Sequence, residues 1–156
     1  MTHATLIAII TPFSWRGFWQ LLKWSTEPLL AWPIWIVSLC LTANLGIATI
    51  RAWRVRDARW KKEYWLAIVS LFFVPAVIAI GVVGWVDPST VPRPQPNTLL
   101  IWANNGLFAI SLLLGIYWIY RMKGLRWLAV AFTLLQLWII FFAGFIAGMA
   151  LTGDWL

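Results

Sequence analysis

Four stretches of this chain carry no Asp, Glu, Lys, Arg or His: 29–50, 64–86, 98–120 and 127–151, each 22 to 25 residues long. At about 1.5 Å per residue the shortest makes a helix of about 33 Å, enough to cross a hydrocarbon core of roughly 30 Å. In lipid every backbone polar group must be paired within the protein, and an isolated apolar run meets that demand only as a helix. The expected fold is therefore an all-α membrane protein, a four-transmembrane-helix bundle. Composition agrees. The chain is 62% apolar and 11% charged, where soluble domains have about 45–50% and about 25%. Fourteen tryptophans suit the membrane–water boundary, where the ring is buried and the N–H stays wet.

The segments between the runs set the direction of crossing. Arg51–Glu63 and 121–126 together hold nine cations against Asp57 and Glu63, the whole net charge of +7. The remaining polar segments hold Arg16, Lys23 and Arg93 against Glu27, Asp87 and Asp154. Such asymmetry predicts that loops 51–63 and 121–126 are cytoplasmic and that both termini lie on the non-cytoplasmic side. A bacterial inner membrane or a photosynthetic membrane is the expected location. The basic residues flank spanning runs, so orientation explains the charge and a nucleic-acid partner is not expected.

Residues 1–28 read as a leader and 29–156 as the four-helix domain. The start lacks a basic n-region, so a cleaved signal is not expected. From Ser14, a candidate N-cap, Trp15, Phe18, Trp19 and Leu22 recur at helical spacing opposite Arg16, Gln20 and Lys23. This predicts a short N-terminal interfacial amphipathic helix, or a leader packed over the bundle. Ser25-Thr26-Glu27-Pro28 reads as the start signal of the first span. Pro75 is expected to kink the second span and free the carbonyl of Leu71. Asp87–Asn97, with four prolines, predicts a stiff extended connector. Asn97 caps the third span, and Gly124 suits the reversal before the fourth.

Motifs for chemistry are missing. His3 is the only histidine and Cys40 the only cysteine. No intrachain disulfide, Cys-based metal site or bis-histidine haem follows. Paired carboxylates, HExxH, GxSxG and phosphate loops are absent from the sequence. Asp, Glu, Lys, Arg and His inside spans, the usual mark of proton and ion pathways, are absent too. No autonomous enzyme, metal site or cofactor of its own is expected.

The spans do hold neutral polar residues. Asn44, Asn104, Asn105 and Gln136 are the candidate ligand contacts, suited to a bound lipid, quinone or pigment. The simpler role is hydrogen bonding between helices. By helical rise Asn44 lies about 9 Å and Gln136 about 13 Å from the cationic ends of their spans, so the two are expected to meet if those helices are neighbours. Gly144 and Gly148 form a GxxxG pattern that serves packing within the bundle or docking to another chain. Trp138 near mid-depth is a further candidate for packing or a partner interface. Arg51, Arg54, Arg56, Arg59, Lys61 and Lys62 are candidates for anionic lipid, at about 1 kcal/mol each, or for an acidic partner.

The functional expectation is a non-catalytic accessory or structural subunit of a larger integral-membrane complex, of respiratory or photosynthetic type. It would fill helix interfaces, hold lipids or pigments and contact other membrane subunits. The alternative is a small binding or carrier protein for an apolar ligand such as a quinone, lipid or pigment.

Overall fold

The computed structural model describes residues 14–31, 33–55, 68–86 and 95–154, and every regular element among them is helical. In chain order they are α1 (Trp15–Leu30), α2 (Ile34–Val55), α3 (Phe73–Val83), α4 (Thr98–Arg121) and α5 (Arg126–Thr152). Three of them, α2, α4 and α5, are long and apolar enough to cross a membrane. The fourth apolar helix, Ile68–Val83, is shorter; residues 64–67 of the expected second span lie outside the described residues. So do 1–13, Arg56, Arg59, Lys61, Lys62 and the prolines at 88, 92 and 94.

Helix α5 is the axis, and the other four pack on it. Ala52 of α2 clusters with Leu128 near the start of α5, while Ser38, earlier in α2, meets Trp138 farther along α5. The two helices are therefore antiparallel. Helix α4 is also antiparallel to α5: Trp118 meets Phe132 edge to face, and Asn104 bonds Gly144. Helix α3 runs parallel to α5, from Val77 beside Ile140 to Val86, whose N–H donates to the Ala150 carbonyl at 2.8 Å.

This arrangement gathers Arg51, Arg54, Arg121, Lys123 and Arg126 at one end of the bundle. The opposite end holds Arg16, Lys23, Glu27 and Asp154 among the described residues, a neutral set. Two apolar cores fill the interior. One, at the basic end, contains Ala48, Ala52, Trp118, Met122 and Leu128. The other, at the neutral end, contains Leu21, Val77, Ile78, Ile140, Ala143 and Ala147. Between them lie the buried polar residues Ser70, Ser111, Thr133 and Gln136.

The first helix differs from expectation at its far end. Ser14 does cap it, accepting from Gly17 N at 3.3 Å. Ser25-Thr26-Glu27-Pro28, however, starts nothing: α1 runs through it to Leu30, with Pro28 inside the helix. The Ser25 hydroxyl donates back to Leu21 O at 2.7 Å and the Thr26 hydroxyl to Lys23 O at 2.8 Å, contacts that hold both residues helical instead of capping a new start. Burial of Leu21 and Ser25 on one side of the helix favours that continuation. The second helix accordingly begins at Ile34 rather than 29, and α1 crosses the expected boundary at residue 28. From Gly17 to Ala31, about 21 Å of helix, α1 touches only the neutral end: Gly17 lies by Val82, Trp24 by Trp85, and Leu29 by Ser38.

Pro75 disturbs its helix about one turn before it, while Phe72 keeps a right-handed helical backbone at φ −73° and ψ −14°. The ladder breaks at Phe72, whose N–H bonds Val69 O in a tighter turn, and Pro75 falls in the first turn of α3, where a missing N–H costs little.

Gly81 and Gly84 suit a close neighbour, and that neighbour is α5 at Ala147, one of the alanines flanking the GxxxG glycines. A Cβ built on Gly81 would lie 2.9 Å from the Cβ and 3.0 Å from the Cα of Ala147, so α3 and α5 meet nearly backbone to backbone there. The GxxxG glycines do not make this contact. Gly148 has nothing within 4 Å of a built Cβ, and Gly144 faces only the Asn104 carboxamide. The small residues that bury are Ala143, Ala147 and Ala150, because they, and not the glycines, lie on the face of α5 turned to α3. At the end of α5 the chain turns on Gly153, whose φ of 70° is the left-handed cap conformation that glycine adopts without strain.

Candidate functional site

The four predicted polar contacts do not form one site. Asn44 is exposed on α2 and donates to Cys40 O of its own helix at 2.9 Å. It does not meet Gln136, because α2 turns Ala48 and Ala52, not Asn44, toward α5. Gln136 is buried and serves structure. Its Nε2 donates to Ser70 O at 2.7 Å and to the Ser111 hydroxyl at 3.2 Å, joining α5 to α4 and to the segment just before the break at Phe72. A proline inside an apolar helix needs neighbouring groups to satisfy the disturbed backbone, and Gln136 supplies one.

Asn104 and Asn105 do come together, on the wall of a groove of about 400 Å³ between α3, α4 and α5. Val77 and Ile140, both fully buried, contribute to its lining. The aromatic rings of Phe108, Phe141 and Phe145, all exposed, line it as well. No ionisable side chain lines it. Its position along the helices follows from chain position. Asn104 is six residues into α4 and Gly144 eight from the end of α5, so the groove opens about 9–12 Å from the neutral end.

Asn104 is the unusual residue of this groove. It is 7% exposed. Its Nδ2 donates to the Gly144 carbonyl at 3.2 Å, yet its Oδ1 is buried and meets no donor. A buried acceptor without a partner costs about 1–3 kcal/mol, and native structures leave few. Asn105 is exposed beside it. Two other buried polar atoms, Trp118 Nε1 and the Thr133 hydroxyl, also lack partners. They lie in the packed contact of α4 on α5, Trp118 in the core of the basic end and Thr133 in the polar layer above that core, where it presses on Gly115.

Trp138 is a packing residue within the chain. Its Nε1 donates to the Ser38 hydroxyl at 3.0 Å, and that hydroxyl donates to Leu29 O at 3.1 Å, tying α5, α2 and the end of α1 together. A second groove of similar volume lies between α1 and α5, lined by Trp24, Pro28, Ile146 and Met149. Its one charged residue, Glu27, pairs with Lys23 at 3.7 Å on the exposed face of α1.

Helix α2 presents the other notable surface. Ala48 and Ala52 are its buried side chains among the described residues. Thr42, Asn44, Gly46 and Thr49 are exposed. The two threonine hydroxyls donate to carbonyls four residues back at 2.8 Å, and Gly46 has open space where a side chain would be. Arg51 and Arg54 continue this helix into the basic end, both exposed.

Among the described residues no group of three His, Cys, Asp or Glu is placed to hold a metal ion. The residues that the sequence does not single out are Ser70 and Phe108. Pro75 was the available signal for Ser70, since a proline disturbs the carbonyls one turn before it. Phe141 and Phe145, with Trp138 and Phe142, stand out as apolar bulk around much of the fourth span; that Phe108 joins two of them at one groove depends on the register of two helices, a tertiary fact. No protein-family model, no curated protein and no solved structure matches the chain, so its function has to be argued from this geometry.

Proposed function

We propose that the chain is a non-catalytic subunit of a larger integral-membrane assembly and that α2 is the surface that meets its partner. The observation that carries this reading is the exposed polar and small residues of α2: Thr42, Gly46 and Thr49 on one face and Asn44 on another. A helix bordered only by acyl chains gains nothing from an asparagine or a bare glycine. A helix bordered by another helix uses both: small residues let backbones approach, and an interhelical hydrogen bond contributes about 0.5–2 kcal/mol. The hydroxyls of Thr42 and Thr49 are already satisfied within α2, so docking would not strand them.

Four crossings, with both termini non-cytoplasmic, complete the proposal. Helices α2 and α4 run in the same direction, so the chain has to recross between residues 56 and 97, and α3 runs the opposite way. The basic end, with Arg51 and Arg54, would then face the cytoplasm and its anionic lipids.

Cys40 offers the test, because it is exposed on α2. Extraction in a mild detergent followed by native mass spectrometry should give a stoichiometric complex. A thiol cross-linker at Cys40 should join the chain to one defined membrane protein. A monodisperse single chain that cross-links to nothing overturns the proposal. A reporter fused after Leu156 should be active only outside the cytoplasm.

The second reading, a binding protein for an apolar ligand, is favoured by one observation, the groove at Asn104.

A further inference from the structure

We infer that the groove at Asn104 is a binding site for an uncharged lipid carrying a hydrogen-bond donor, a hydroxyl in the simplest case. This does not depend on whether α2 docks to a partner.

The direction of the hydrogen bonds decides the class. The Nδ2 of Asn104 faces the Gly144 carbonyl at 3.2 Å. Turning the amide over would set two oxygens against each other, so Oδ1 is held as the open atom. Oδ1 accepts only. Its missing partner must therefore donate, which a hydroxyl or N–H does and a ketone, ester or quinone carbonyl does not. Asn104 Oδ1 is buried and has no donor among the described residues, so a donor reaches it only as the side chains at the groove give way. The donor has to arrive along the groove, past the exposed rings of Phe108 and Phe145.

Surroundings exclude charge. No ionisable side chain lines the groove, and it opens about 9–12 Å inside the neutral end. A phosphate or carboxylate would be left unpaired there at a cost of several kcal/mol. A volume of about 400 Å³ is too large to be filled by one water, whose share of the liquid is about 30 Å³. It lies in the range of small-molecule pockets, about 300–1,000 Å³. The apolar walls take the ligand's hydrocarbon, and Asn104 takes its hydroxyl.

The probe pair is oleyl alcohol and methyl oleate, matched in chain and differing in the donor. Each is doped into phosphatidylcholine nanodiscs holding the full chain, and retention is read by native mass spectrometry. Wild type should retain the alcohol about fivefold or more over the ester, the ratio expected for one neutral hydrogen bond to a buried acceptor. Asn104→Leu, of similar volume, should bring that ratio to about one. Gly144→Ala is the second variant. Its added methyl would lie 3.8 Å from Asn104 Nδ2 and 3.9 Å from Oδ1, an ordinary contact that leaves the helices in place while filling the approach to the carboxamide. It should lower retention of the alcohol with thermal unfolding unchanged or shifted upward through helix propensity. Equal retention of alcohol and ester by wild type overturns the inference. So does an alcohol preference that survives either variant.

Discussion

Helices α5 and α2 are both uncharged along their spanning lengths, and their burial differs sharply. Helix α5 buries side chains along its whole length, from Leu128 to Leu151, and touches every other helix. Helix α2 buries Ala48 and Ala52. Apolarity does not separate them, because lipid is as apolar as the interior and offers no hydrophobic gain for leaving it. Close contact separates them. On α5 the packed positions include Ala129, Ala131, Ala143, Ala147 and Ala150, small enough for neighbours to reach the backbone. On α2 the two alanines lie near the basic end, and Gly46 faces open space. In this protein, small residues on a shared face mark where helices join, as at Gly81 and Ala147.

The largest expected effect tests the packed side. Gly81→Ala should destabilise the bundle by about 1–3 kcal/mol, the usual cost of overpacking a close contact, read as a lower unfolding midpoint in detergent. The added methyl meets the Cα of Ala147, which cannot swing aside as a long side chain would. A neutral result would break the claim that close approach sets the burial of α5.

Next is the polar layer. Gln136→Leu removes the donor to Ser70 O and Ser111, and should cost about 1–2 kcal/mol in the same measurement. Hydrogen exchange should rise most around residues 68–73, beside the break at Phe72. Uniform exchange along the helix would show that Gln136 does not stabilise the disturbed turn.

The smallest effect sharpens the open side. Gly46→Ala places a methyl in open space, so the isolated chain should be unchanged or stabilised by up to about 1 kcal/mol through helix propensity. The bulkier Gly46→Leu should leave the isolated bundle folded yet release the partner, seen as loss of the larger species in native mass spectrometry. A complex that tolerates the leucine would mean α2 meets lipid alone.

Several local features were legible in the chain. Ser14 and Asn97 cap the helices they were expected to cap, because a cap depends on a side chain and the next three amides. Asn104, Ser111 and Gly115 share a face by spacing alone, and the structure buries Asn104 and Ser111 and sets Gly115 against Thr133. Ser25 to Pro28 misled for a physical reason: a hydroxyl caps a new helix or bonds back into the old one with equal ease, and burial of Leu21 and Ser25 tips the balance. The expected meeting of Asn44 with Gln136 failed on rotation. Helical rise gives height, and nothing local gives the angle at which a helix turns toward its neighbour.

Long uncharged runs, local caps and the clustering of cations between them need only chain position and the chemistry of lipid, so the amino-acid order alone determines an all-helical chain with helices able to cross a membrane. Which helix lies at the centre, which asparagine keeps an unpaired oxygen beside a groove and which face of α2 stays open depend on the relative rotation of packed cylinders. Those rotations are set by contacts between residues far apart in the chain, such as Gly81 with Ala147 and Gln136 with Ser70, and only the tertiary structure decides them.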